Sequence, residues 1–197
     1  PPPRTTLNPS SAASDVYNRP IRDEFKVETL VDLKKKGSLI GIDLQGFIRT
    51  IDKNNILINS NWKEKEEALG LTHYLKADGV EAEFLTGESD LISAAKILKS
   101  YGPKEIIITH KDGVLVYDGE NIYQEPFILD KIIGRSGRGD TCGASYVYKR
   151  LTLNPKNSIK WAAAATSLKM ESDTPLKNTM HEIENRVSKY KWLNKLS

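Results

Sequence analysis

Short apolar runs alternate with amphipathic stretches along most of this chain, and that alternation constrains its fold more than any single residue does. SLIGID (38–43), HYLKAD (73–78) and EIIITH (105–110) read as strands. Between them DEFKVETLVDLKKK (23–36), NWKEKEEALG (61–70), EAEFLTG (81–87) and SDLISAAKILKSYG (89–102) read as helices. The first carries acids early and lysines late, as the helix dipole prefers, and stops at Gly37. The last has Ser89 or Asp90 as its cap and Gly102 beyond its end. NNILIN (54–59) is a small strand or hairpin arm. GVLVYDG (113–119) and NIYQEPF (121–127) are strand-like, with Asp118-Gly119 marking a hairpin between them. IIGRSGRGDTCGASYVYKRL (132–151) is a glycine-rich loop running into a helix. NSIKWAAAATSLKME (157–171) is a helix capped by Asn157 or Ser158. TMHEIENRVSKYKWLNKL (179–196) has Thr179 and Glu182 at capping-box spacing and an apolar stripe of Ile183, Val187, Tyr190 and Leu193. This order specifies an α/β domain, a largely parallel sheet with helices on both faces.

Composition narrows the class of function. The chain has 197 residues, enough to bury a core without a disulfide or metal staple. Lys and Arg number 29 against 26 Asp and Glu, a net charge of +3, which excludes a chain dominated by a nucleic-acid-binding field. The single cysteine, Cys142, excludes an internal disulfide and favours a reducing compartment. No apolar run approaches the roughly 18 residues of a membrane span, and no signal-peptide core opens the sequence. A cytoplasmic domain with neither nucleic acid nor membrane as partner is expected. Residues 1–20 hold five of the nine prolines and read as an extended arm, leaving 21–197 as the folded unit. His73, His110 and His181 are scattered without ligand spacing, so no zinc site is expected.

The chemistry concentrates in Gly134-Arg135-Ser136-Gly137-Arg138-Gly139-Asp140-Thr141-Cys142-Gly143-Ala144. Its glycines allow positive φ and close approach of a ligand. Free amides at the following helix start, with the dipole behind them, form an anion site. Asp140 stands where a phosphate would arrive. One role uses both facts: the amides of Gly137, Arg138 and Gly139 hold a transferring phosphoryl group while Asp140 takes the proton of the attacking hydroxyl. A plain helix start, with Asp as a favoured cap, is the structural alternative. The spacing matches neither a Walker loop nor the Rossmann fingerprint. The Arg138-Gly139-Asp140 adhesion tripeptide is set aside, since nothing in the sequence signals export.

These residues resemble the C-terminal signature of the ribokinase/PfkB carbohydrate kinases, whose core reads Gly-Ala-Gly-Asp at a helix start. Arg138 stands where that family has a small residue. Asp43-Leu44-Gln45-Gly46-Phe47-Ile48-Arg49 resembles the Asp-x-x-Gly-x-x-Arg segment of archaeal-type members. KADGVEAEFLTG (76–87) resembles the Lys-x-Asn-x-x-Glu segment near metal and phosphates, with Asp78 for the Asn and Glu81 as the Glu. IIITHKDGVLVYDG (106–119) and WAAAATSLKME (161–171) resemble the nucleotide-bordering strands and small-residue helix. The resemblance implies a three-layer ribokinase-like α/β/α fold with a mostly parallel sheet. It implies ATP and Mg²⁺ as cofactors and a sugar, polyol (such as an inositol) or nucleoside as hydroxyl acceptor. By the same resemblance Asp140 is the base, with Gly137, Arg138 and Gly139 as the anion hole. Thr109, Gly113, Ala162, Ala165 and Leu168 would line the nucleotide, Asp43 and Arg49 the acceptor, and Asp78 and Glu81 the metal. It covers only the C-terminal portion of a family member, with the N-terminal strands, lid and most of the acceptor site unmatched. An exposed sheet edge, open to association as a homo-oligomer, is then expected. A non-catalytic nucleotide-binding module that engages a regulatory partner is the alternative function.

Overall fold

A computed structural model describes residues 26–54 and 56–193, with the side chains of 191–193 left aside. The proposed arm (1–20) lies outside the described residues. Five strands form the main sheet: β1 (Gly41–Asp43), β4 (Tyr74–Asp78), β5 (Glu105–Thr109), β6 (Gly113–Tyr117) and β7 (Ile122–Pro126), side by side in that order. β1, β4 and β5 are parallel, and β5–β6–β7 are antiparallel neighbours. Four of the five strands therefore run one way and only β6 opposes them, the mostly parallel sheet that the alternation implies. β2 (Arg49–Ile51) and β3 (Leu57–Asn59) make a separate antiparallel ribbon. Asp52 closes its turn by accepting the Asn54 and Ile56 amides at 2.8 Å each.

Side-chain alternation along the buried strands divides the interior in two. Leu75, Ala77, Ile106, Ile108 and Leu115 face one core. It is covered by α1 (Val27–Lys35), α3 (Lys65–Gly70), α4 (Gly79–Thr86) and α5 (Leu91–Ser100). Tyr74, Ile107, Val114 and Val116 face the other, covered by α6 (Arg138–Arg150), α7 (Pro155–Met170) and α8 (Met180–Leu193). Each wholly buried Ile or Leu contributes roughly 1.5–3 kcal/mol. Helices on both faces of one sheet make the three layers. Lys76 follows the same alternation, and so points to the α6 side.

Several boundaries moved for local reasons. α7 begins at Pro155, not 157, because Asn154 caps it: its Oδ1 accepts the Asn157 amide at 2.9 Å, and Pro suits the first helical position. Asp90, rather than Ser89, caps α5 and accepts the Ser93 amide. α4 starts two residues early, at Gly79. A short helix α2 (Gln45–Ile48) and strand β2 were not foreseen; both are too short for a period to show. The hairpin at 118–119 forms as expected, with Gly119 at φ 102° and Asp118 accepting the Glu120 and Asn121 amides. No helix among the described residues is long and apolar enough to cross a membrane.

One packing detail makes stability respond to pH. The Nδ1 of His73, just before β4, accepts the Ile40 amide at 3.0 Å, so the ring must be neutral there. Burial, with Lys34 and Lys104 nearby, holds its pKa below the ordinary imidazole value. Above about pH 6.5 neither folded nor unfolded state protonates it, and stability is at its full value. As pH falls below that, the unfolded chain takes a proton that the folded one refuses, and stability declines. Urea midpoints should drop between pH 7.5 and 5.5, and H73N should remove part of that difference, since His110 is also held low by burial. A slope unchanged in H73N would contradict this role.

Candidate active site

The carboxyl ends of β1, β4 and β5 converge beneath the start of α6, where open α/β sheets bind ligands. They deliver Asp43, Lys76, Asp78 and Thr109. α6 enters from Gly137, which has φ 72° and therefore favours glycine. A cavity of about 360 Å³ opens between the sheet and the helix, lined by Asp43, Lys76, Gly139, Asp140 and Gly143 among others. Asp140 is exposed on its rim, in the first turn of α6.

The helix start offers amides, though not quite those expected. Arg138 donates its amide to the Arg135 carbonyl at 3.2 Å, closing the turn, and is engaged. The amides of Gly137, Gly139 and Asp140 have no partner among the described residues. Of the 137–139 amides expected to face an anion, the structure leaves those of Gly137 and Gly139 without a partner, joins the Asp140 amide to them, and uses the Arg138 donor inside the tight turn.

Lys76, to which the resemblance assigns no role, lies at the centre of this site. It is a buried lysine with Nζ 2.9 Å from Asp43 Oδ2. Burial alone would lower its pKa, but the carboxylates of Asp43, Glu81 and Asp140 outweigh that and raise it, so it stays an ammonium. The signal was available: a lysine amid the apolar residues of a central strand is costly unless paired.

Arg49 and Glu81 also meet. Arg49 Nη2 donates to Glu81 Oε1 at 2.8 Å and lies 3.7 Å from Asp78. Glu81 Oε2 accepts the Asp78 amide, and Asp78 Oδ1 accepts the Glu81 amide, both at 2.8 Å, a reciprocal capping box at the start of α4. Burial lifts the Glu81 carboxyl above its usual range, and Lys76 and the Asp78 amide only partly counter this. Among the described residues no group of three or more His, Cys, Asp or Glu could hold a metal. Asp78 and Glu81 fit Mg²⁺ only as the ion usually binds, hydrated and shared with substrate phosphates. The pair expected to touch the acceptor, Asp43 and Arg49, is thus tied to Lys76 and Glu81.

The residues expected around a nucleotide divide. Thr109 is buried, donates to the Ala77 carbonyl at 3.4 Å, and lies beside Gly139. Gly113 is also at this end of the sheet, but β7 dictates its identity: a Cβ there would overlap the Glu125 carbonyl oxygen. Ala162 and Ala165 are corrected: both are wholly buried in the core beneath α7, so their small size serves packing and leaves no surface for a ligand. Leu168 is half-buried and lines a second, polar cavity of about 420 Å³ with Ser172, Thr174, Pro175 and Leu176. Burial pushes the pKa of the Cys142 thiol up to about 11 despite its place near a helix start, and it is a packing residue.

Known proteins resemble this chain in sequence and fold. Residues 44–177 match the model of the pfkB family carbohydrate kinases. A ribokinase from Lactococcus lactis subsp. lactis (strain IL1403) is 28% identical over 81 residues, 41% of this chain and 27% of that protein. A pyrophosphate-dependent kinase of the ribokinase family, solved with sulfate, is 36% identical with a TM-score of 0.75, over 83% of this chain and 57% of its own. A pyrophosphate-dependent myo-inositol-1 kinase, converted by mutation into a myo-inositol-3 kinase, is 35% identical with a TM-score of 0.77, over 87% and 60%. Arabidopsis thaliana ribokinase, solved with ribose and ATP, shares the fold at 19% identity and a TM-score of 0.67, over 82% and 51%. The chain spans 57–60% of the two pyrophosphate-dependent kinases. With residues 44–177, more than half of its length, matched by that family's model, the chain belongs to the pfkB family of carbohydrate kinases.

Proposed function

We propose that this chain carries the phosphoryl-transfer half of a small-molecule kinase that acts on a polyol or sugar hydroxyl. The observation that carries the reading is Asp140 in the first turn of α6, with unpartnered amides beside it, on a cavity at the strand ends. The acceptor hydroxyl gives its proton to the Asp140 carboxylate as its oxygen attacks. The Gly137, Gly139 and Asp140 amides stabilise charge growing on the phosphoryl oxygens. Mg²⁺, when bound with the donor, neutralises phosphate charge, and Asp78 and Glu81 would hold its waters.

The donor reading shifts from ATP toward pyrophosphate. The similar structures at 35–36% identity are pyrophosphate-dependent, whereas the ATP-bound ribokinase is at 19%. Arg138, half-buried at the mouth of the loop, adds a cation where the resemblance has a small residue. The test is turnover with magnesium pyrophosphate or MgATP, each against inositols, pentoses, hexoses and nucleosides. Pyrophosphate with a polyol should exceed ATP with any acceptor by tenfold or more. The reverse order would restore ATP as donor, and no acceptor-dependent consumption of either would overturn the kinase reading.

A further inference from the structure

A lysine in the middle of a central strand needs a reason, and the structure supplies a mechanical one. Lys76 does not end its path at Asp43 by chance: two glycines of α6 make room for it. A Cβ on Gly139 would stand 2.7 Å from Lys76 Nζ and 2.8 Å from its Cε, and a Cβ on Gly143 would stand 3.3 Å from its Cγ. Both glycines lie in the helix, where alanine would otherwise be favoured by up to about 1 kcal/mol. The helix start therefore gives up local stability at two turns so that one ammonium can pass beneath it. That ammonium lines the same cavity as Asp140 and Gly139 and adjoins the turn with unpartnered amides.

We infer that Lys76 is a catalytic residue of the proposed kinase, the cation that contacts the transferring phosphoryl group from the sheet side while the α6 amides contact it from the helix side. The inference rests on the kinase reading. Asp43 is the positioning residue: its carboxylate, 2.9 Å from Nζ, aims the ammonium at the cavity before substrate arrives. In the transfer the acceptor oxygen forms a new O–P bond and the donor's bridging O–P bond breaks. The leaving group departs as phosphate, or as ADP from ATP, and the acceptor proton goes to Asp140. Lys76 keeps its proton throughout and balances charge as it spreads over the phosphoryl oxygens. A buried cation already held in place needs no reorganisation at that moment, which is why one such group is worth a large factor.

The experiment compares wild type, K76M and K76A in the full-length protein. K76M keeps the aliphatic volume beneath the two glycines and should lower kcat about 10²–10³-fold, the usual worth of one preorganised stabilising group, with little change in acceptor KM. K76A should recover part of its turnover with added n-propylammonium and none with n-propanol, its neutral counterpart. A K76M kcat within threefold of wild type would overturn the inference, as would equal rescue by propanol, which would mark a packing role. Calorimetric binding of magnesium pyrophosphate and of MgATP separates this from the kinase reading. If wild type shows no turnover, that reading fails, but tenfold weaker binding of either donor by K76M would still place the ammonium on the phosphates. In that case, equal affinity in K76M, or no donor binding by wild type, would overturn the lysine assignment.

Discussion

Replacing Asp140 by Asn should lower kcat by about 10²–10⁴-fold while donor binding stays nearly intact, because a positioned general base contributes that much. Asn keeps the shape and loses the proton acceptor. It also removes an acid from the first turn of a 13-residue helix, where a negative charge stabilises by about 0.3–1 kcal/mol, so a slight fall in melting temperature should accompany the kinetic loss. The two effects differ enough in size to be told apart. Affinity for an anionic donor should hold or rise, since a carboxylate no longer faces the phosphates. Steady-state kinetics beside a donor titration checks this. If Asp140 served only as a favourable charge at a helix start, D140N would melt slightly earlier and turn over normally.

The largest expected loss of stability is far from that carboxylate. Glu105 opens β5 and accepts the Tyr146 hydroxyl at 2.6 Å, and its two oxygens also take Arg150 Nε and Nη2 at 2.7–3.1 Å. Tyr146 is wholly buried; burial, with Glu105 beside it, pushes its phenol up, so it remains a donor. Removing one partner of such a network leaves the others buried and unpaired. E105A should therefore cost about 3–5 kcal/mol. For a domain with total stability of roughly 5–15 kcal/mol that is a large fraction, and melting should fall on the order of 10 °C. E105Q, which still accepts the Tyr146 hydroxyl, should lose less. β5 separates Glu105 from Thr109 by about 13 Å, so kcat per folded molecule should not change. Denaturation curves with activity scaled to folded fraction test both halves. A fall in E105A kcat per folded molecule would contradict this and tie the network to the site.

The parts of this protein legible in its sequence are those set by local rules. The continuous apolar runs at 105–109 and 113–117 and the glycine-to-helix transition at 137–139 all rest on neighbours within a few residues. The capping box at Thr179 and Glu182 likewise forms, with Glu182 Oε2 accepting the Thr179 amide. What was not legible joins distant positions. Asp43 meets Lys76, and Arg49 meets Glu81, only because β1 and β4 lie side by side. The capping box at Asp78 and Glu81 was hidden differently. Its Asp and Glu have the right spacing, but their resemblance to a metal-side pair drew attention from the simpler local role, which both residues also fulfil. Ala162 and Ala165 show the reverse error: small residues on a helix suggest a ligand, and here they admit α6 and the sheet instead.

The central claim is that a phosphoryl group moves to an acceptor hydroxyl at the start of α6. Phosphorus NMR of the full-length protein with magnesium pyrophosphate, or MgATP, and a polyol observes that transfer directly. A phosphomonoester signal should grow one for one with donor consumed, and D140N should form it at least a hundredfold more slowly, the lower bound for a lost base. Donor consumed with only inorganic phosphate appearing, or a monoester formed equally fast by D140N, would contradict the account.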